Sequence, residues 1–403
     1  MNILVLTSRL PYPPDRGDRL RVYNFLRSLA GLHKLTLISF IAKEDERQNL
    51  KFLEPYCENI LLIEQSRLRS ILTIGLNFWR NLPLQVLYYR SSAMQQLVSQ
   101  TLAESKFDLI YAHLARMAPY ALNASDVYRV VDLTDLISKE IQLSLKYRKL
   151  ASKIVFQLEQ KRMEKYEKEV MNRFDEVWLI SDSEWKSASG ICHTAKLQVV
   201  KNGVDTSTFY PLDIGRKSNQ LIFVGHLSVF HNIDAARYLV EKILPQIREE
   251  IPGIELVIIG RDPAPGVSSL EANPGVHVAG YVEDLNRSLN MATLFAAPLR
   301  FAAGVQNKVL EAMAAGIPVV TTPLVVEGIG AIPGHDLIMA ETDSNFAKAI
   351  IELLKDPGRA SQIGAAGCNF VRRNYSWGIV LEHINTIEDR LDLYKTGSGE
   401  RSS

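Results

Sequence analysis

The sequence is poor in cysteine: it has 3 in 403 residues (Cys57, Cys192 and Cys368), and no two form a C-x-x-C pair. That excludes a zinc ribbon and a disulfide framework, and makes a reducing, cytoplasmic setting the expectation. It also lacks an excess of either charge, since 46 Lys+Arg against 45 Asp+Glu leave a formal net charge of +1. So balanced a chain gives no global electrostatic reason to bind nucleic acid, and no such partner is expected. Nor is there a run of about 18 apolar residues, the length that reads as a membrane span. The most lipophilic window, 71–89, is broken by Asn77, Arg80, Asn81 and Pro83. The opening run Met1 to Leu6 is too short for a signal-peptide core and reads as a strand. No His, Cys, Asp and Glu cluster has metal-ligand spacing, so neither a metal nor another cofactor is expected.

What the sequence does contain is an alternation of short β-branched runs with helical stretches, the pattern of parallel α/β layers. Its length suggests about two or three domains. Strands are expected at 2–7, 35–41, 59–63, 107–112, 129–133, 176–180 and 197–201. After a polar stretch at 213–218 a second series follows at 220–225, 255–260, 276–280, 293–297 and 318–322. Two doubly wound, Rossmann-like α/β domains are expected, 1–211 and 212–375, with ligand loops at the strand C-termini. Helical spacing of Ile379, Val380, Ile384, Ile387 and Leu391 predicts a last helix within 376–395, and 396–403 reads as a polar Gly/Ser tail.

The segment 298–320, PLRFAAGVQNKVLEAMAAGIPVV, reads strand, loop, helix, Gly316 stop and strand. A helix beginning near Gly304 would turn its first N–H groups and positive dipole end toward an anion, with Lys308 on its first turn. Glu311, further along, could accept hydrogen bonds from a diol such as a ribose. The alternative is an ordinary α/β helix on which Lys308 and Glu311 make surface pairs. In the first half, the loop after strand one lacks G-x-G-x-x-G, which removes the main support for a dinucleotide dehydrogenase. His113 ends the strand FDLIYAH, and Asp132 and Asp135 end the next. Paired carboxylates could belong to a glycosidase, to acceptor positioning or, for Asp135, to a helix cap.

These segments resemble the family 4 retaining glycosyltransferases of the GT-B fold. VLEAMAAGIPVV at 309–320 resembles their donor-binding signature, VVKNGVD at 199–205 their interdomain junction, FVGHLS at 223–228 their first turn of the second domain, and YSW at 375–377 the return to the first. The form PLR…GVQNKVLEAMA most resembles sugar transferases of bacterial exopolysaccharide and exosortase (PEP-CTERM) systems. The resemblance implies two domains facing a central cleft, a nucleotide diphosphate sugar as donor, retention of configuration and no metal. Glu311 would hold the ribose and Val282 the base edge; Gly304, Val305 and Gln306 would offer N–H groups to phosphate or sugar. Gly17 and Gly225 would sit in loops on the donor, and His113 would hydrogen-bond the sugar or steady its developing cation.

Three positions depart from the family pattern. A first Glu of the donor motif is replaced by Ala303, and an Arg and a Lys on the diphosphate are replaced by His226 and Asn232. A leaving diphosphate still needs positive compensation, so Lys308 is the first substitute, with Arg300 second and His226 as a neutral donor. These departures keep open a non-catalytic binding subunit, or an epimerase or hydrolase on the same fold.

Between Gln65 and Ala103 there is no acidic residue, yet there are Arg67, Arg69, Arg80 and Arg90. Ile71, Ile74, Phe78 and Leu82 fall on one helical stripe, with Trp79, Tyr88 and Tyr89 nearby. Lys139, Lys146, Arg148, Lys149 and Lys153 add basic charge further on. Such a segment suits the anionic inner face of a cell membrane and a lipid-linked or glycan acceptor; the alternative is a core-facing helix with solvated arginines.

Overall fold

The computed structural model describes residues 1–14, 17–124, 126–148, 150–301, 305–380, 387, 390 and 391. Ala303, Gly304, Lys149 and the tail 396–403 therefore lie outside the described residues, as does most of the expected last helix. The chain divides into two compact units, Met1–Asn202 with Val380–Ser403, and Gly203–Ile379.

The first unit holds seven parallel strands: β1 (Asn2–Thr7), β2 (Lys34–Ile41), β3 (Asn59–Glu64), β4 (Leu109–His113), β5 (Tyr128–Thr134), β6 (Glu176–Leu179) and β7 (Lys196–Val199). Their order is β3-β2-β1-β4-β5-β6-β7. Side chains alternate across a strand, and here both faces are covered. Leu4 and Leu6 join Ile110 and Val131 in one core, whereas Ile3 and Val5 join Tyr111 and Val130 in the other. That double burial is why these strands read as continuous apolar runs. Helix α1 (Gly17–Leu29) follows β1, α2 (Arg67–Asn77) follows β3, and α3 (Leu150–Met171) precedes β6. Ile387 and Leu391 are buried in the core that contains Ile3, and Arg390 Nε donates to Glu176 Oε2 at 3.1 Å.

The second unit holds β8 (Gln220–Val224), β9 (Glu255–Ile259), β10 (Val276–Gly280), β11 (Leu294–Ala297), β12 (Val319–Thr321) and β13 (Ile338–Met339), in the order β10-β9-β8-β11-β12-β13. Helix α4 (Phe230–Tyr238) follows β8 and α5 (Asn307–Ala314) follows β11. The sequence drew the junction at 211/212. The chain crosses at Asn202/Gly203 because the residues after it pack on the second unit. Val204 N donates to Tyr375 O at 2.6 Å, and Tyr210 N donates to Asn286 Oδ1 at 3.2 Å. A Cβ on Gly203 would stand 2.3 Å from the Trp377 ring, so only glycine fits there.

Both sheets are α/β and parallel, and in each the strand order reverses once: at β1/β4 in the first and at β8/β11 in the second. The crevice beyond the strand C-termini at such a reversal is where open α/β sheets bind ligands.

Candidate functional site

At the reversal of the first sheet, His113 ends β4 and pairs in register with Asp132 of β5. Tyr111 lies two residues before His113, on the same face of the strand. Its hydroxyl donates to Asp132 Oδ2 in a short hydrogen bond and stands 3.4 Å from His113 Nδ1. On the other side of the carboxylate, Arg21 of α1 donates from Nε at 2.5 Å, and from Nη1 to Asn202 Oδ1 at 3.0 Å. Burial alone would raise the Asp132 pKa; the Arg21 guanidinium and His113 outweigh it and hold the group ionised, far below the usual carboxylate range.

Four buried polar atoms at this end of the sheet have no hydrogen-bond partner among the described residues: Thr7 Oγ1, Arg21 Nη2, His113 Nε2 and Asp135 Oδ1. Unsatisfied buried polar atoms are scarce in folded proteins and call for a ligand or water. The backbone here is strained as well. Leu114 and Thr134, just beyond His113 and Asp132, have φ of 72° and 61°, a region that costs side-chain-bearing residues about 1–2 kcal/mol. Such strain is most often kept where loops serve a site.

Asp135 does not cap the helix that follows. That helix, Ile137–Ser144, has Leu136 at its N-cap, and the Ile137 N–H donates to Glu167 Oε1 at 2.8 Å. Burial, with Glu184 and Glu140 nearby, pushes the Asp135 pKa well above the carboxylate range. Gly17 is the first residue of α1, beside Asp18, which accepts from Arg9 Nη1 at 3.0 Å.

At the reversal of the second sheet, Gly225 and His226 follow β8. A Cβ on Gly225 would come within 2.8 Å of Asn232, so the turn packs against α4 only because the residue is glycine. Asn232 Nδ2 donates to His226 O at 3.0 Å, while its Oδ1 is buried without a partner. The His226 ring is held between Ser228 Oγ, 2.9 Å from Nδ1, and Asp262 Oδ2, 3.3 Å from Nε2.

Arg300 follows β11, and Asp234 takes its guanidinium in a two-pronged pair, Nε–Oδ2 2.9 Å and Nη2–Oδ1 2.5 Å, while the Tyr238 ring lies 4.4 Å below. Asp234 and Tyr238 are four residues apart on α4, hence on one face. Arg300 is thus a charge already matched within its own unit.

The expected helix does exist, but it begins at Asn307 rather than near Gly304. Gln306 is its N-cap residue and supplies no side-chain cap. Lys308 remains on the first turn and donates from Nζ to Gln306 Oε1 at 2.9 Å. Glu311 lies three residues on, on the same side as Lys308. Burial raises the Glu311 carboxyl to about 7, against the opposing pull of the Lys308 ammonium. Val305 and Gln306 are buried beside the helix start. Val282 is half-buried after β10, next to an exposed Tyr281 whose ring has the Arg261 guanidinium 4.4 Å away.

The structure therefore gathers His113, Asp132 and Gly17 in one unit, and Gly225, His226, Asn232, Arg300 and Lys308 with Glu311 in the other. Sequence reasoning missed Tyr111, Arg21 and Asp234. Arg21 left a signal: a charge on the buried side of α1, one turn before Phe25, must find a partner.

Comparison with known proteins bears on the fold. Residues 218–356 match the family model described as glycosyl transferases group 1. An uncharacterized 44.6 kDa protein in the cps region of Klebsiella pneumoniae is 25% identical over 93% of this chain and 96% of its own. Among solved structures, sucrose-phosphate synthase from Thermosynechococcus elongatus superimposes with a TM-score of 0.74 at 16% identity, covering 98% of this chain and all (100%) of that one. Anabaena HepE in complex with UDP-glucose gives a TM-score of 0.69 at 14% identity, over 96% of this chain and 99% of that one. The fold is GT-B, and the match to the glycosyl transferases group 1 model lies within the second unit, at residues 218–356.

Proposed function

We propose that this chain is a retaining glycosyltransferase of family 4 that moves a sugar from a nucleotide diphosphate sugar to a lipid-linked or polysaccharide acceptor in surface-glycan synthesis. The observation that carries the reading is α5. Its uncapped start, Lys308 on its first turn and the part-buried Glu311 one turn on form a site with cationic and carboxylate ends in a glycosyl transferases group 1 segment. The N–H groups and the ammonium would stabilise charge gathering on the departing diphosphate. The Glu311 carboxylate would accept from the ribose hydroxyls, and the Val282 backbone would meet the base edge. HepE, of like fold, was solved with UDP-glucose bound, which supports a donor of this class.

In the step itself, the bond between the sugar's anomeric carbon and the diphosphate oxygen breaks, and the acceptor oxygen bonds to that carbon on the face the diphosphate leaves. The acceptor's proton passes to a diphosphate oxygen, so no protein base and no metal is called upon. His113 Nε2 accepts from a sugar hydroxyl. A relative encoded in a cps region and the basic, aromatic segment at 65–103 support an exopolysaccharide role at the inner face of the membrane.

A second reading, a non-catalytic binding subunit, is favoured by His226 and Asn232 standing where the family has diphosphate-binding cations. Nucleotide release measured with and without acceptor decides between them. Acceptor-dependent release supports transfer. Donor binding with no release establishes the binding subunit, and acceptor-independent turnover a hydrolase.

A further inference from the structure

Among the described residues, large apolar side chains are exposed chiefly on two segments of the first unit. On α2, Leu68, Ile71, Leu72 and Leu76 are each more than 60% exposed, and Trp79 just beyond is 64% exposed. Their spacing is that of a single stripe on one helix. The opposite side of α2 is the side turned to the protein, with Ser70 buried and Ile74 half-buried. This corrects the stripe read from sequence, Ile71, Ile74, Phe78 and Leu82: Ile74 is half-buried and Leu82 packs against the core, while Tyr89, expected near the stripe, is buried in that core. On α3, Leu150, Ile154 and Leu158 repeat every four residues and are 79%, 59% and 56% exposed.

The two segments are joined. Arg162 Nη2 on α3 donates to the Phe78 carbonyl at 2.8 Å, and the Leu84 N–H donates to Glu159 Oε1 at 2.7 Å. Charge picks out the occupant. Gln65 to Ala103 and Ile141 to Leu158 each contain no acidic residue, while together they hold Arg67, Arg69, Arg80, Arg90, Lys146, Arg148, Lys149 and Lys153. Lys139 drops out of the basic set read from sequence, because Glu184 Oε1 accepts from it at 3.1 Å. No helix among the described residues is long and apolar enough to cross a bilayer.

We infer that α2 and the N-terminal half of α3 form one docking surface for an anionic phospholipid bilayer, lying in the interface with their apolar stripes among the acyl chains. Leucine and isoleucine stripes supply the apolar face, Trp79 suits the headgroup boundary, and the arginines and lysines of two stretches that contain no Asp or Glu meet lipid phosphates. A protein partner would more commonly be met by mixed charges at the rim. The surface deepens the proposed function, since it would bring a lipid-linked acceptor to the enzyme, but it does not depend on the donor site.

The test is sedimentation of the full chain with vesicles of phosphatidylcholine alone or mixed with phosphatidylglycerol, for wild type, Leu72→Glu and Leu158→Glu. Serine versions and thermal melts guard against misfolding. Binding should require phosphatidylglycerol, fall at least tenfold in each variant, and be accompanied by a blue shift of fluorescence lost in Trp79→Tyr. Wild type that ignores anionic vesicles, or variants that bind as wild type does, would overturn the inference. So would a wild-type dimer, seen without lipid, that both variants dissociate. Donor-nucleotide binding measured in parallel keeps the two ideas separable: its absence sinks the transferase reading and leaves the membrane surface standing.

Discussion

The Tyr111 hydroxyl donates its one proton to Asp132, so toward His113 Nδ1, 3.4 Å away, its oxygen can only accept. The neutral imidazole therefore carries its hydrogen on Nδ1, and the buried Nε2, which has no protein partner, is a hydrogen-bond acceptor. Any O–H or N–H donor would satisfy it, and under the proposed function that donor is a sugar hydroxyl. His113→Ala should lower kcat by about 100-fold, the scale of one lost preorganised contact. Tyr111→Phe keeps the ring and removes one of two acceptors that face Nδ1, Asp132 Oδ2 at 3.7 Å being the other, and should lower kcat by roughly tenfold with donor KM little changed. Nitrogen-15 spectra of the His113 ring should show the Nδ1–H form in the wild type and a mixture in Tyr111→Phe. A single unchanged tautomer in the variant would remove Tyr111 from this role.

Glu311 links donor affinity to pH. Its carboxyl, lifted by burial to about 7, is mostly protonated at pH 6 and mostly ionised at pH 8. If the carboxylate holds the ribose diol, affinity for a nucleotide diphosphate sugar should rise about tenfold over that range, one pKa unit being a factor of ten. The donor's own phosphates do not titrate there. Glu311→Gln should flatten the curve, as followed by calorimetry. The sign for stability is opposite. A raised carboxyl pKa means that the folded state holds its proton longer, so this group's contribution is whole below the usual carboxylate pKa and is lost as pH rises to about 7.

Asp132 is the counter-case, with a pKa depressed in spite of burial. Asp132→Asn leaves the buried Arg21 guanidinium without its anion and should cost about 3–5 kcal/mol in urea unfolding at pH 7. Because the wild-type carboxylate stabilises only when ionised, that contribution is full above the ordinary carboxylate range and fades as pH falls below it. The gap between wild type and variant should narrow toward pH 3. A constant gap would mean that packing, and not the ion pair, sets the cost.

The doubly wound fold was legible because double-sided burial writes strands as unbroken apolar runs. The sequence expectation at 2–7 coincides with β1, and that at 276–280 with β10. β13, two residues long, carries no periodicity to read. The start of α5 was misplaced toward Gly304 because Gly suggests a helix entry, whereas the chain uses Gln306 at the cap. His113, Lys308 and Glu311 stand out as candidates through their motifs. Tyr111 was not, since a tyrosine inside a buried strand reads as core until the register shows its hydroxyl beside Asp132. Arg300 was visible as a charge, yet its pairing with Asp234 joins residues far apart in sequence.

That pairing ranks the two cations proposed for the diphosphate. The Arg300 guanidinium is neutralised by Asp234 and stacked on Tyr238, so recruiting it would mean breaking a two-pronged ion pair. Lys308 Nζ donates to the amide oxygen of Gln306, 2.9 Å away, and its ammonium also pulls on the Glu311 carboxyl; a phosphate oxygen can take the place of the amide oxygen without a two-pronged ion pair being broken. Lys308→Met keeps the apolar stem and removes the charge. It should weaken nucleoside diphosphate binding by about 10- to 150-fold, the equivalent of a charged hydrogen bond of roughly 1.5–3 kcal/mol. It should also flatten the dependence of that affinity on salt. Arg300→Met should change binding less than threefold while lowering the melting temperature, since Asp234 loses its partner. If calorimetry shows the two variants equally impaired, the diphosphate reaches Arg300 as well, and Asp234 must release it on binding.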